Sequence, residues 1–360
     1  MRPFHAVIGL VFSCVTLACT PSMACVAANP SDAAAMELAR MWADERHVLV
    51  GRAIPLSAQG SADQIRETGC AGTEELGALV RILAEKVRQG STAIILGEVH
   101  DNPTHHVARA RLLQAIVEES GQAPGLVFEQ FKRGQQPGID AHLALPTSTP
   151  ARNDLESFKQ SAGWAKSGWD TYQYDTLLGA ALRSGLPIIA ADPDRADIMS
   201  AARNGWAGIP AALQARLGLD RPLEPELAVA LEDEIRTAHC GAMPEAALGP
   251  MAVAQRFRDA QLADATLGAL GEYGSAILFT GNNHGRKDRG VPWYIRARAP
   301  DVDVIFVAFV DVETGRDTAD AYVARGPDGA PTADFIVFTP RAERGDPCAA
   351  FGRGQRAAPG

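Results

Sequence analysis

The sequence predicts an α/β fold: a mainly parallel sheet with helices on both faces, plus an inserted helical subdomain. Three observations carry this. Short apolar runs without polar interruption occur at 93–96, 126–128, 187–191, 276–279, 305–310 and 335–338, and strands apolar on both faces belong to sheets covered on both sides. Helix-period segments such as 104–120 and 175–184 separate most of them, the alternation of parallel βα units. Between Ala196 and Gly271 only helical patterns occur, at 213–217, 227–239 and 251–270, punctuated by Pro210, Pro222, Pro225, Pro244 and Pro250.

Taken in chain order, Arg2 and His5 precede an apolar run from Ala6 to Cys19 that is short for a bilayer span and ends in small residues, which reads as a signal peptide over 1–24. Two processing sites compete. Ser22-Met23-Ala24 before Cys25 fits soluble export to the periplasm, whereas Leu17-Ala18-Cys19 resembles an imperfect lipobox whose cysteine would anchor a lipoprotein in the envelope. Residues 25–35 are Ala/Ser/Asn/Pro-rich and read as a linker. His47 to Ile54 alternates like a strand near a sheet edge, and 73–89 has helical spacing with Thr73 as N-cap. The α/β domain is expected over 36–195 and 272–340, interrupted by the helical insertion at 196–271 and followed by a tail at 341–360.

No other stretch nears the ~20 apolar residues of a membrane span, so contact with a membrane is expected only through a lipid anchor. Acidic residues outnumber basic ones 43 to 34, which removes any global attraction for nucleic acid. Export would expose Cys70, Cys240 and Cys348, with Cys25 if retained, to an oxidising compartment. A Cys240–Cys348 disulfide would give the aperiodic tail a reason to be ordered; a free buried thiol is the alternative.

The chemistry lies where the strands stop. The first internal strand runs into Gly97-Glu98-Val99-His100-Asp101-Asn102-Pro103, and the next into Glu129-Gln130. The strand at 187–191 ends in Asp192-Pro193-Asp194-Arg195, and the strand at 276–279 leads through Thr280 into Gly281-Asn282-Asn283-His284. In an open parallel sheet these ends share one edge, where ligands bind. Each piece alone has a bland reading, since a histidine after a strand is usually structural and Glu129 could simply accept amides at a helix start. Two Gly-x-x-His turns and two carboxylates in one crevice are hard to explain that way.

His105 and His106 put three of the eight histidines within seven residues. They open the following helix with Thr104 as its expected N-cap, where a solvated first-turn role is the alternative. There is no His-Glu-x-x-His or paired Cys-x-x-Cys pattern. A divalent metal held by Glu98, His100, Glu129 and His284 still suits the donor types. Trp164, Trp169, Tyr172 and Tyr174 supply four of the ten Trp and Tyr residues within eleven positions; they would wall a large planar ligand, or simply pack a helix or dimer contact. Arg256, Arg258 and Asp259 sit on the long helix before the last Gly-x-x-His turn, where Arg258 could hold a carboxylate or belong to a surface ion-pair face.

These residues resemble the ChaN-like haem-binding uptake family of the Tiki superfamily. The likeness rests on Gly97 to Pro103 with His105-His106, on Phe128-Glu129-Gln130, on Ala254-Gln255-Arg256 with Arg258-Asp259, and on Gly281 to His284 with Asp288-Arg289-Gly290-Val291-Pro292. It spans about Ala93 to Phe338. The resemblance implies an exported, often lipid-anchored protein of iron acquisition that binds haem in a homodimer, with tyrosine ligating the iron and a histidine contributed by the partner subunit. The ligand tyrosine lies outside the matched motifs, so Tyr172, Tyr174 and Tyr294 are the candidates, with His105, His106 and Arg195 completing the cofactor-binding set. More distant similarity to erythromycin esterases and Tiki metalloproteases implies hydrolysis by Glu98, His100, Glu129 and His284. The chain departs from the family at Asn283, usually Gly, and at Asp192, often Asn; the second adds negative charge to the cleft.

Two functions follow. The first is a cell-envelope haem or iron-porphyrin binder. The second is a hydrolase, with or without metal, in which His100 is the general base, Glu129 orients the water and His284 or Arg258 stabilises an oxyanion. An inert interaction protein on the same scaffold is the third reading.

Overall fold

The computed structural model describes residues 30–43, 45–56, 71–346 and 348–349. The leader with both processing sites, Cys25 and Cys70 lie outside these residues. The chain order is α1 (Pro30–Met41), β1 (Ala53–Pro55), α2 (Ala71–Gln89), β2 (Thr92–Leu96), α3 (Pro103–Ser120), β3 (Gly125–Lys132), α4 (Gln136–Leu143), α5 (Leu155–Ser161), α6 (Asp175–Ser184) and β4 (Ile188–Asp192). Four helices follow without an intervening strand: α7 (Arg195–Asn204), α8 (Ala211–Leu217), α9 (Pro225–Ala238) and α10 (Glu245–Tyr273). The chain closes with β5 (Ser275–Phe279), α11 (Asn282–Gly285), α12 (Val291–Arg298), β6 (Asp303–Asp311) and β7 (Phe335–Thr339).

All seven strands form one sheet in the order β1-β7-β6-β2-β5-β3-β4. Every pairing is parallel except β1 on β7. The α/β class read from the uninterrupted apolar runs is thus the observed one. The strands alternate between two cores: Ile94, Leu96, Leu126, Phe128, Ile277 and Phe279 pack with helices α1, α2, α3 and α6, whereas Ala93, Ile95, Val127, Ala276 and Leu278 pack with helices from the 195–273 stretch and α12. Period-two alternation with both faces buried explains the uninterrupted apolar runs 93–96, 126–128 and 276–279 in these strands. Helix α10 lies against β3, β4 and β5, so the helices between β4 and β5 share their core with the sheet.

Four local expectations are corrected. Residues 30–35 belong to α1 instead of a linker, because Ala35 and Leu38 bury completely in the core shared with α2. The strand expected from His47 shrinks to 53–55: Val50 N–H donates to His47 O, and Gly51, at φ 81°, ends the turn in the left-handed region. Helix α2 begins at Ala71, so Thr73 is inside its first turn. The N-cap of α3 is Asn102, whose side chain accepts from Thr104 N–H at 2.9 Å with Pro103 as first helical residue.

Cys240, just beyond α9, is bonded to Cys348, 108 positions away. Among the described residues no helix is long and apolar enough to cross a membrane. A cross-link closing a loop of this length restricts the unfolded chain by about 5 kcal/mol. Denaturant unfolding of the Cys348→Ser variant should show a loss of that order, and an unchanged midpoint would mean the bond contributes nothing.

Candidate functional site at the strand ends

Register brings the site together. Leu96 pairs with Phe279, and Phe279 with Phe128, so the chain leaves β2, β5 and the regular part of β3 at one height. Glu98, Gly281 and Glu129 follow directly. The strand alternation then decides where each carboxylate points. Glu98 continues the parity of Ile94 and Leu96 and turns to the α3 and α6 side, while Glu129 continues that of Val127 and turns to α10.

Glu98 is buried. Its Oε1 accepts from Tyr174 Oη at 2.5 Å, Gln130 Nε2 at 3.0 Å and the His100 ring Nδ1 at 2.7 Å. Its Oε2 faces Arg109, with which it forms a fully buried ion pair, and lies 3.4 Å from His106 Nε2. Burial pushes the Arg109 guanidinium down to about 10, against the raising influence of Tyr174 and Glu129. His106 stacks on Tyr174 with ring centroids 4.0 Å apart and donates from Nδ1 to Gln173 O; burial holds it down to about 4. The Nδ1–H of His100 is therefore committed to Glu98, which leaves Nε2 for the cleft. Gly281 makes room for that ring: a Cβ there would come within 2.7 Å of His100 Cε1 and 2.9 Å of Nε2.

Glu129 is fully buried and hydrogen-bonded on both oxygens. Oε2 accepts from Thr280 Oγ1 at 2.7 Å and Gly281 N–H at 2.8 Å, and Oε1 from Arg258 Nη2 at 2.7 Å, with His284 Nε2 at 3.3 Å. Burial alone would raise its pKa, but His284 and Arg258 reverse this and hold it well below the ordinary carboxylate range. Arg258 also binds Asp192 through Nε and Nη2 at 2.8 and 3.0 Å, and Lys132 pairs with the same carboxylate. His284 Nδ1 is 2.5 Å from Asp259 Oδ1. Burial opposes charge on this imidazole, yet Glu129 and Asp259 outweigh it and raise the pKa to about 10. His100 goes the other way: desolvation, helped by His284 and Arg258, lowers it although 38 % of its side chain reaches solvent. One cleft thus holds a neutral imidazole beside a cationic one.

The cleft is a cavity of ≈ 640 Å³ with His100, Gln255, Arg258 and His284 on its polar side. Ile198, Met199, Ile235 and Met251, from α7, α9 and α10, form the apolar side. The expected residues divide as follows. Glu98, His100, Arg258 and His284 line the cavity and Glu129 lies behind it. Tyr172 is 37 % exposed beside Trp169, whose ring meets His100 edge-on at 4.7 Å. Tyr174 and Tyr294 are fully buried, the latter accepting from Arg256 Nε. His105 is buried away from the cavity, with Nδ1 accepting Val99 N–H and Nε2 on Thr339 Oγ1; neither it nor His106 is a solvated first-turn residue. Arg195 is exposed in the first turn of α7. Arg109, not singled out in the sequence, and Gln130, quoted there only beside Glu129, complete the Glu98 network. Arg109 had a signal, since it falls on the apolar stripe of α3 three positions from Leu112 and His106 and four from Leu113 and His105.

The donor set does not suit a divalent cation. Both carboxylates of the expected quartet have their oxygens turned to N–H and O–H donors, and His284 lies between two acids as a cation. Among the described residues no group of three or more His, Cys, Asp or Glu is arranged to hold a metal ion. A porphyrin iron asks for less, one or two axial ligands, and the Nε2 of His100 and the phenol of Tyr172 fit that need.

Fold and site define an α/β protein with a strand-edge ligand cleft under a helical cover. The chain belongs to the haem-binding uptake family of the Tiki superfamily, ChaN, whose model matches residues 84–295. Among solved structures, ChaN of Campylobacter jejuni, described with cofacial haem binding, is 18% identical with a TM-score of 0.52, covering 71% of this chain and 89% of that one. An erythromycin esterase in its open conformation is 15% identical with a TM-score of 0.38, covering 81% and 84%. The likeness to the Campylobacter protein speaks to fold alone, and the second carries no argument. In sequence, the chain matches none of the curated proteins.

The opposed histidines can be read directly. Ring ¹⁵N shifts should show His284 doubly protonated through pH 8 and titrating near 10, His100 neutral at pH 7, and His106 titrating near 4. Titration of His284 below pH 8 would contradict the arrangement.

Proposed function

We propose that this chain binds haem, or a closely related planar metalloporphyrin, on the face that runs from Tyr172 and Trp169 to His100 and the cavity. One observation carries it: an exposed tyrosine, a tryptophan and an imidazole with Nε2 unused adjoin in series beside an apolar-walled cavity. Membership of the family supports the reading. Flat aromatic walls suit a macrocycle, and an iron porphyrin brings the open axial positions that a phenolate or imidazole fills. Tyr172 is favoured over Tyr174, whose hydroxyl donates to Glu98, and over Tyr294, which is buried on Arg256. Arg258 Nη1 hydrogen-bonds to none of the described residues and is the donor left for a propionate.

Export to the envelope in support of iron acquisition is part of the proposal. It is supported by the apolar run of a leader expected over 1–24 and by the Cys240–Cys348 bond, since disulfides persist in oxidising compartments. Pairing of two copies over this exposed face is part of the same proposal. Haemin added to the purified chain should develop a shifted Soret band, with affinity falling at least about tenfold in Tyr172→Phe or His100→Ala and unchanged in Tyr294→Phe. No spectral change at micromolar haemin would overturn the reading.

A second reading, hydrolysis, is favoured by the opposed protonation of His100 and His284, because two groups driven apart in one cleft divide into base and acid. Here Glu98 orients the base. Turnover of an ester or amide would rise with pH as His100 loses its proton below the usual histidine range, then fall as His284 deprotonates near 10. Such a profile, lost in His100→Ala, would establish this activity; silence across a broad ester, amide and peptide panel would remove it.

A further inference from the structure

Helix α10 separates two cavities. Met251, Ala254, Gln255 and Arg258 line the cleft, while Ala252, Val253 and Arg256, one step around the helix, line a second cavity of ≈ 590 Å³. Helix α9 divides likewise, with Ile235 on the cleft and Ala228 and Leu231 on the second cavity.

Arg256 sets this second cavity apart. Among the described residues five arginines are buried, and Arg52, Arg109 and Arg289 each face a carboxylate. Arg256 pairs with none. Its Nε donates to Tyr294 Oη at 2.9 Å and its Nη2 to Arg221 O at 2.6 Å, both uncharged acceptors, while Nη1 hydrogen-bonds to none of the described residues. Its guanidinium carbon lies 5.0 Å from the ring centre of Trp206, which stands 37 % exposed. Arg152 is the other buried arginine without an ion pair, but it shares a smaller pocket with Asp140. Glu232 lines the Arg256 cavity too, beyond ion-pairing distance of the guanidinium.

A buried cation is costly unless an anion answers it. The buried part of the remaining wall is apolar, with Leu223, Leu231 and Val253, while the exposed Arg203 and Asn204 complete the lining beside Trp206. We propose that this cavity is a second ligand site, for an apolar monocarboxylate whose carboxylate pairs with Arg256 and whose hydrocarbon or aromatic body lies between Trp206 and the α9–α10 wall. A carboxylate accepts from Nη1 as a charge-assisted hydrogen bond, and an uncharged head group of the same shape forfeits it. The site is independent of the haem reading, because α10 turns a different face to each cavity.

Calorimetry on the full chain with decanoate, decan-1-ol and decylamine below their micellar concentrations tests it. Decanoate should bind about tenfold or more tighter than either analogue. Arg256→Gln should bring decanoate to the level of the alcohol. Ala228→Trp, which fills the cavity from its half-buried rim and leaves Arg256 in place, should abolish binding while a haemin titration of the same variant is unchanged. Equal binding of decanoate and decanol, tighter binding of decylamine through Glu232, decanoate binding that survives Ala228→Trp or is indifferent to Arg256→Gln, or no heat with any probe at millimolar concentration would each overturn the proposal.

Discussion

The buried Glu98–Arg109 pair is the constraint on which the cleft depends. A carboxylate with no solvent contact is tolerated only when its oxygens are occupied, and removing one partner of such a pair costs about 3–5 kcal/mol. Arg109 answers its charge from α3, and Tyr174, Gln130 and His100 take up the other oxygen. Because the Glu98 oxygen is already an acceptor, His100 must present Nδ1–H to it, and the ring's remaining nitrogen is left for the cleft. The orientation of a half-exposed histidine thus follows from a fully buried ion pair.

The same logic runs on the opposite face of the sheet with the opposite outcome. Glu129 and Asp259 surround His284 and hold it charged, while Arg258 binds Glu129 and Asp192 together. Asp192, the acid that departs from the family pattern, does not add a free negative charge to the cleft; Arg258 and Lys132 absorb it. Two carboxylates from β2 and β3, the strands on either side of β5, give two histidines of opposed charge, one neutral with Nε2 turned to the cleft and the other cationic.

Helix α10 connects these features to the cover. It carries Asp259 and Arg258 toward the strand ends, lies against three strands, and presents Arg256 to a separate cavity. The Cys240–Cys348 bond holds the chain immediately after α9, whose last turns supply Ile235 and Ala238 to the cleft wall. The cover is therefore fastened to the sheet by a shared core and to the C-terminal tail by a covalent link.

Much of this was legible in the sequence. Uninterrupted apolar runs determine doubly covered parallel strands, and in such a sheet the first polar residues after each run meet at one edge, so Glu98, His100, Glu129 and His284 could be grouped without coordinates. Local patterns were less informative where long-range packing competes with composition: the Ala-rich segment at 30–35 folds as helix because Ala35 and Leu38 reach a core built by α2, and the alternation from His47 yields to a turn ending at Gly51. What only the tertiary structure decided was the partnership of each charge. Arg109 with Glu98, Arg258 with Asp192, and Tyr174 buried while Tyr172 stays exposed all depend on which helix a strand's pleat faces. A sequence states which residues are polar, but the protonation and availability of each are set by neighbours that lie from two positions away to more than a hundred.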